Sequence, residues 1–232
     1  MPRVTVVIPT LDRKEFLEQA IETVQVQTYE SLECIVVDDG STDGTREYLD
    51  SLDYDALRTI YRDNETGLSS ARNAAIDAAE GEYVTFLDSD DILYPHTVET
   101  LVGAIEEQPE DCAGAFASKK LITQRGRVKS RRVPPGTMTE PTFENARAIG
   151  GPSSATFRRD ALKEVGGFDE SFEAREDLDL YLTLLKKYSL FGVDEVCCER
   201  RIHGSQMSKD DDRIRDGHTK LAEKHGLDRV RR

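Results

Sequence analysis

The 232-residue chain has no apolar run long enough to span a bilayer. Its first residues, Met1 to Ile8, are too short for a signal peptide and carry no small-residue cleavage site. A cytoplasmic location is therefore the default expectation. Positive charge is also scarce. The net charge of −14 argues against non-specific nucleic-acid binding, which requires a basic footprint. The excess acid has two readings: general solubility, or adaptation to a salty medium that screens dense surface carboxylates. Metal-type cysteine spacing is missing. Cys34, Cys112, Cys197 and Cys198 read as reduced thiols, with Cys34 inside an apolar run and so in the core. Neither usual phosphate loop occurs: there is no Gly-x-Gly-x-x-Gly after the first strand and no Gly-Lys-Ser/Thr. This argues against a dinucleotide-dependent dehydrogenase and against a P-loop enzyme. Any bound phosphate must be neutralised chiefly by metal and by basic side chains.

Short, continuous β-branched runs predict strands at Val4–Ile8, Leu32–Val37 and Tyr83–Leu87, with weaker ones at Ala56–Tyr61 and Ala113–Ser118. Runs without alternation suit strands buried on both faces of a parallel sheet. Helical stripes lie between them: Phe16, Leu17, Ala20, Ile21 and Val24, then Ala71, Ala74, Ala75, Ala78 and Ala79, closed by Gly81. Strand alternating with helix predicts an α/β sheet with right-handed crossovers. Later helices are expected at Arg158–Val165 and Leu178–Lys187, and the tail from Asp210 reads as a short helix or partly disordered. From Lys119 the character changes. Lys119, Lys120, Arg125, Arg127, Lys129, Arg131 and Arg132 follow with no acid among them. They form either a solvated hairpin face or a surface for phosphates and anionic lipid heads.

The most informative stretch ends the third strand, where Asp88, Asp90 and Asp91 follow in quick succession. Carboxylates crowded at the end of a buried strand repel unless something positive lies between them. A hard divalent cation bound to phosphate oxygens is the natural partner, and open α/β sheets bind ligands beyond the carboxyl ends of their strands. The bland alternative is a turn in which Ser89 or Asp91 caps a helix. Asp38-Asp39-Gly40-Ser41 ends the second strand, and an acid there can accept hydrogen bonds from a base or ribose. Arg72 stands near a helix start, where its charge opposes the macrodipole, so a partner worth that cost is expected. Glu176-Asp177 opens another helix, either as favourable N-terminal acids or as a general base. His203 alone is a weak signal for a metal ligand or phosphate donor.

In order along the chain, Val4–Thr10, Gln27–Thr45, Gly67–Asn73, Asp88–Asp91, Gly166–Glu170 and Glu176-Asp177 resemble the blocks of glycosyltransferase family 2, over roughly residues 3–205. The resemblance implies a GT-A fold, a Rossmann-type three-layer α/β/α sandwich with a mostly parallel central sheet, as a single domain over 1–232. Residues 1–118 would form its nucleotide-binding half, 119–205 its acceptor-binding half and 206–232 a charged tail. It further implies a nucleotide-sugar donor (UDP-linked as the commonest case), Mn²⁺ or Mg²⁺, and inversion at the anomeric carbon. The acceptor would be a glycan or a lipid-linked saccharide, with peripheral membrane contact through 119–132 at the inner face of the cell membrane. Carried over residue by residue, Pro9, Thr10, Asp39, Arg72, Asp88 and Ser89 are the nucleotide-binding set. Asp90 would be the direct metal ligand, joined by His203 from a loop that closes over the diphosphate, and Asp177 would be the catalytic base. Two alternatives stand beside this reading: a sugar nucleotidyltransferase, whose glycine-rich basic opening loop is missing after Ile8, and a non-catalytic nucleotide-sugar-binding partner subunit.

Overall fold

The computed structural model describes residues 1–123, 128–132, 136–202 and 211–227, with backbone alone at 129–132. Strands β1 (Val4–Thr10), β2 (Leu32–Asp38), β3 (Leu57–Tyr61) and β4 (Tyr83–Phe86) are parallel and lie in the order β3-β2-β1-β4. Every residue of β1 and β4 is buried. The unbroken apolar runs are needed because both faces of the sheet are covered. The period of two along β1 divides the molecule into layers. Val7 joins one core with Ala71, Ala75 and Ile76 of helix α3 (Leu68–Ala78). Val4, Val6 and Ile8 join the other, with Leu17, Ile21 and Val24 of α1 (Lys14–Gln25) and Val98, Leu101 and Ile105 of α4 (Thr97–Glu106). The short helix α2 (Thr45–Asp50) adds Leu49 to this second core.

Beyond β4 the sheet continues with strands from later in the chain. β9 (Ala155–Arg158) runs antiparallel between β4 and β6 (Cys112–Thr123). β10 (Ser189–Ile202) is parallel to β6, and the two-residue β5 (Ile92–Leu93) and β8 (Thr137–Met138) pair antiparallel with β10. The change in composition at Lys119 thus falls inside β6. The expected hairpin is present in the backbone, since β7 (Val128–Arg132) pairs antiparallel with β6. Its first two bases turn inward, however. Lys119 is buried and donates to the Gly151 carbonyl, and Lys120 Nζ donates to the Tyr94 hydroxyl at 2.9 Å. Arg125 and Arg127 lie outside the described residues.

Three more helices precede the tail: α5 (Phe143–Ile149), α6 (Arg159–Glu164) and α7 (Glu176–Leu185). The helix expected from Arg158 begins one residue later, because Arg158 still pairs with Tyr83 in the sheet. The tail is helical over α8 (Asp211–His225). It docks on α7 where His225 Nε2 meets Asp179 Oδ1 at 2.7 Å and Lys224 Nζ reaches both Asp169 and Asp179 at 2.8 Å. All four cysteines are buried and free, and burial pushes the Cys34 and Cys197 thiols up to about 12, which keeps them protonated and unreactive.

Gly81, expected as a helix stop, has another role. The helix ends at Ala78, with Ala79 already extended. Gly81 instead lies against the start of β1 and donates its N–H to Thr5 Oγ1 at 3.1 Å. A Cβ there would come within 2.6 Å of the Thr5 nitrogen and 2.8 Å of the Val4 carbonyl carbon. Backbone cannot rotate away as a side chain can. Gly81→Ala is therefore expected to destabilise the fold by about 1–3 kcal/mol, the usual range for overpacking. Urea unfolding checks this, and an unchanged midpoint would mean that β1 and the Gly81 turn can separate freely.

Candidate active site

The direction of winding reverses at β1, whose neighbours β2 and β4 lead to opposite sides of the sheet. The crevice beyond the carboxyl ends of β1 and β4 is the topological switch point, where α/β sheets take their ligands. Local sequence sends the expected residues there. β1 ends in Pro9-Thr10, β2 runs into Asp39, and β4 runs into Asp88, Ser89, Asp90 and Asp91.

On the β2 side, Asp39 is almost fully buried and organises the loop before α3. Its carboxylate accepts from the Thr66 N–H at 3.0 Å, the Thr66 hydroxyl at 2.7 Å and the Gly67 N–H at 2.9 Å, with Arg62 at 3.3 Å. Its own N–H donates to the Thr10 carbonyl at 3.0 Å, which ties the end of β2 to the end of β1. The Thr10 hydroxyl, buried beside it, takes no partner among the described residues. An orphaned buried hydroxyl at a ligand crevice is a group waiting for one. Pro9 lies in β1 and pairs in register with Val37.

On the β4 side, carboxylate oxygens of Asp88, Asp90 and Asp91 all lie within 4.8 Å of one another. These are hard oxygen donors at a spacing that fits a Mg²⁺ or Mn²⁺ ion. Each acid has a different environment. The Arg72 guanidinium, with Arg200 and Lys119, holds Asp88 below the usual carboxylate range against the opposing effect of burial. Asp90 takes a 2.6 Å ion pair from Arg13. Asp91 is wholly buried, accepts from the Arg201 N–H at 3.0 Å and is pushed up to about 7 by burial and by the charges of Asp88 and Asp90. Ser89 is buried within the same turn, and the Asp88 N–H donates to Ser153 Oγ at 3.0 Å.

Arg72 has the partners its position demanded. Only 1% exposed, it donates to Asp88 Oδ1 at 2.7 Å and Glu176 Oε1 at 2.8 Å, and it packs over the Phe168 ring. It therefore links the acidic cluster to the first residue of α7. The next residue is Asp177. Burial and the charge of Glu176 push its carboxyl up to about 6, and its Oδ1 accepts from the Leu178 N–H at 2.8 Å. The turn into this helix is strained, since Arg175 holds the left-handed conformation with φ +70°. His203 lies outside the described residues.

Sequence reasoning missed two basic groups around the acids, Arg13 and Arg200, and read a third, Lys119, only as part of a hairpin face or a phosphate- and lipid-binding surface. Arg13 follows β1 by three residues and could have been suspected from that proximity alone. Lys119 and Arg200 reach the site through the pairing of β6 with β10, in which Lys119 is opposite Cys198 and Leu121 opposite Arg200. No local pattern announces a register between segments so far apart.

Comparison with known proteins agrees with the geometry. The chain is 29% identical over 212 residues to TuaG of Bacillus subtilis, a glycosyltransferase assigned to teichuronic acid biosynthesis, covering 89% of this chain and 82% of that one. It is 32% identical over 199 residues to the GalNAc(5)-diNAcBac-PP-undecaprenol β-1,3-glucosyltransferase of Campylobacter jejuni, covering 82% of this chain and 62% of that enzyme. Two solved structures share the fold. A fragment of S. aureus TarS in complex with UDP-GlcNAc superposes with a TM-score of 0.75 at 23% identity, over 100% of this chain and 68% of that one. The mannosyltransferase PcManGT of Pyrobaculum calidifontis, in complex with GDP-Man and Mn²⁺, gives 0.74 at 22% identity, over 98% of this chain and 65% of that one. The sandwich is thus a GT-A fold. Residues 5–166 match the sequence profile of Glycosyl transferase family 2, and this chain belongs to that family as a glycosyltransferase.

Proposed function

We propose that the chain moves a sugar from a UDP-linked donor to a hydroxyl of a glycan or lipid-linked saccharide, with inversion and with a divalent metal. One observation carries the reading: an acidic cluster at the switch point and a separate carboxylate with raised affinity for protons, Asp177, whose neighbour Glu176 is joined to the cluster through Arg72. The UDP-GlcNAc and GDP-Man complexes of the fold relatives, the Mn²⁺ of one of them, and the undecaprenol-linked substrate named for the Campylobacter relative all support it.

Under this reading Pro9, Thr10 and Asp39 line the nucleoside pocket, and the loop around Ser89 faces the ribose. Asp90, with Asp88 and Asp91, would hold Mn²⁺ or Mg²⁺. Such an ion supplies Lewis-acid stabilisation of negative charge on the leaving diphosphate. The protein's own part is positional and acid–base. As the bond from the anomeric carbon to the phosphate oxygen breaks, its electron pair stays on that oxygen. The acceptor oxygen bonds to the opposite face of the carbon, and its proton passes to Asp177. One displacement gives inversion. A base pushed up to about 6 suits the task, since it is mostly ionised at neutral pH yet holds a proton better than an ordinary aspartate. Arg72 fixes the distance between the two sides of the site. His203 remains part of the proposal as a group closing over the diphosphate. The 119–132 segment remains the proposed contact with an anionic membrane, without the inward-turned Lys119 and Lys120.

Thermal unfolding tests the donor and metal parts together. With UDP, GDP, dTDP or CMP, each with Mn²⁺ or with EDTA and in low and high salt, one nucleotide is expected to raise the midpoint in the presence of metal. Saturation at 100 times the dissociation constant stabilises by about 2.7 kcal/mol, a shift of several degrees. Asp90→Asn is expected to lose the metal-dependent part while remaining folded. No shift with any nucleotide in a folded sample would sink the reading.

A further inference from the structure

The cations around the acidic cluster are unequally engaged. Arg72 is shared between Asp88 and Glu176, Arg13 pairs with Asp90, and the Lys119 ammonium is given to the Gly151 carbonyl. Arg201 turns to the opposite face of β10, where it reaches Gln19 Oε1 at 2.6 Å and packs over Phe16. Arg200 is different. Among the described residues its guanidinium makes no hydrogen bond and no ion pair. Yet it is partly buried and lies beside Gly151, where a Cβ would be 3.7 Å from its central carbon.

Its direction follows from the strand. β6 and β10 are parallel and in register, so Lys119, opposite Cys198, shares a face with Arg200, while Lys120, Glu199 and Arg201 share the other. The other face is accounted for by the Lys120–Tyr94–Glu199 chain of hydrogen bonds. The near face belongs to the site. There Arg200 feels the attraction of Asp91, Asp88, Asp177 and Asp90, in that order of strength. Arg200 is thus drawn both to the cluster and to the proposed base. A guanidinium has five N–H donors in a rigid fork, and none of Arg200's is taken by a described residue. Their complement is a pair of phosphate oxygens.

We infer that Arg200 grips the diphosphate of the nucleotide donor and stabilises it as it leaves. This rests on the donor reading above. It assigns to a protein side chain part of the charge that grows on the phosphate oxygen when the anomeric bond breaks.

The test compares nucleoside diphosphates with monophosphates, because only the former present the group Arg200 is inferred to hold. Binding of UDP, GDP and dTDP, and of the matching monophosphates, is measured by calorimetry with Mn²⁺ for the wild type, Arg200→Met and Arg200→Lys. Arg200→Met is expected to weaken the preferred diphosphate about 10- to 100-fold, the scale of a charge-assisted hydrogen bond, while its monophosphate changes by less than about 3-fold. Arg200→Lys, which retains the charge without the fork, is expected to fall between. Circular dichroism and the unfolding midpoint establish that each variant is folded, and if the Met variant is not, the Lys variant carries the comparison. A diphosphate-to-monophosphate ratio equal to the wild type's overturns the inference and leaves the donor reading standing. Equal weakening of both nucleotides overturns it too, by making Arg200 a support of the nucleoside pocket. A folded wild type that binds no nucleotide overturns the donor reading, and the inference with it.

Discussion

Replacing Asp177 by asparagine is expected to leave nucleotide binding intact and to lower sugar transfer by about 10²–10⁴-fold, the usual contribution of a positioned general base. Asparagine retains the shape and an oxygen that can accept from the Leu178 N–H, as Asp177 does at 2.8 Å. What it loses is the ability to take the acceptor's proton. Because Asp177 is not one of the three clustered acids, binding and turnover should separate in this variant. Transfer within a few-fold of the wild type would remove Asp177 as the base.

The same substitution carries a second, opposite signature. The Asp177 carboxyl is pushed up to about 6 from an ordinary value of 3.8 by burial and by Glu176. The folded chain therefore holds this proton more tightly than the unfolded one. Its contribution to stability is fully present below about pH 4 and is lost as the pH rises through about 6. Asp177→Asn has no such loss. It is expected to unfold at a higher temperature than the wild type at pH 8, with the gap closing toward pH 4. Transfer by the wild type should follow the other limb, rising with pH until the base is ionised near pH 6. A variant less stable than the wild type at pH 8 would show that the ionised carboxylate is well accommodated, and that its elevated affinity for protons has no structural cost.

Much of this site was legible because strand ends are local. The runs at Val4, Leu32 and Tyr83 are unbroken and β-branched, so they read as buried parallel strands, and the polar residues that end them fall together at one edge. Arg72 was legible for another reason. A cation near a helix N-terminus is unfavourable without a counter-charge, and two were found. The tail was only half legible. Its charge made disorder as reasonable as helix until α8 was seen docked through the buried His225 on Asp179. The insertion of β9 was not legible at all. Ala155–Arg158 is four residues long, and only its pairing with both β4 and β6 defines it. Arg200 depends on the same kind of long-range register. Family membership then disfavours the nucleotidyltransferase and non-catalytic alternatives that the residues alone had left open.

Arg72→Met is expected to have the largest effect on stability of any substitution at the site, on the order of 3–5 kcal/mol, because it removes the ion-pair partner of the buried Glu176 and the nearest cation to Asp88. Arg72 is 1% exposed, and Asp88 and Glu176 hold its two terminal nitrogens at 2.7 and 2.8 Å. Methionine fills much of the volume over Phe168, so the loss measures charge more than packing. The control follows from the same logic. Adding Glu176→Gln removes one of the orphaned charges and should recover part of the stability, whereas two independent sites would lose stability additively. Arg72→Lys is not expected to rescue, because one ammonium on a flexible stem cannot hold both acids as a planar fork does. Activity should fall further than stability explains. The guanidinium is the only direct link among the described residues between the acidic cluster and Glu176, the residue before Asp177. Without it the proposed metal side and the proposed base side are free to drift, and misplacement by an ångström can cost about 10²-fold in rate. Urea unfolding of the single and double variants, with Mn²⁺ titration of those that remain folded, checks both halves. An unchanged midpoint in Arg72→Met would mean that Asp88 and Glu176 find other partners, and that the brace between the two sides of the site is not what holds them.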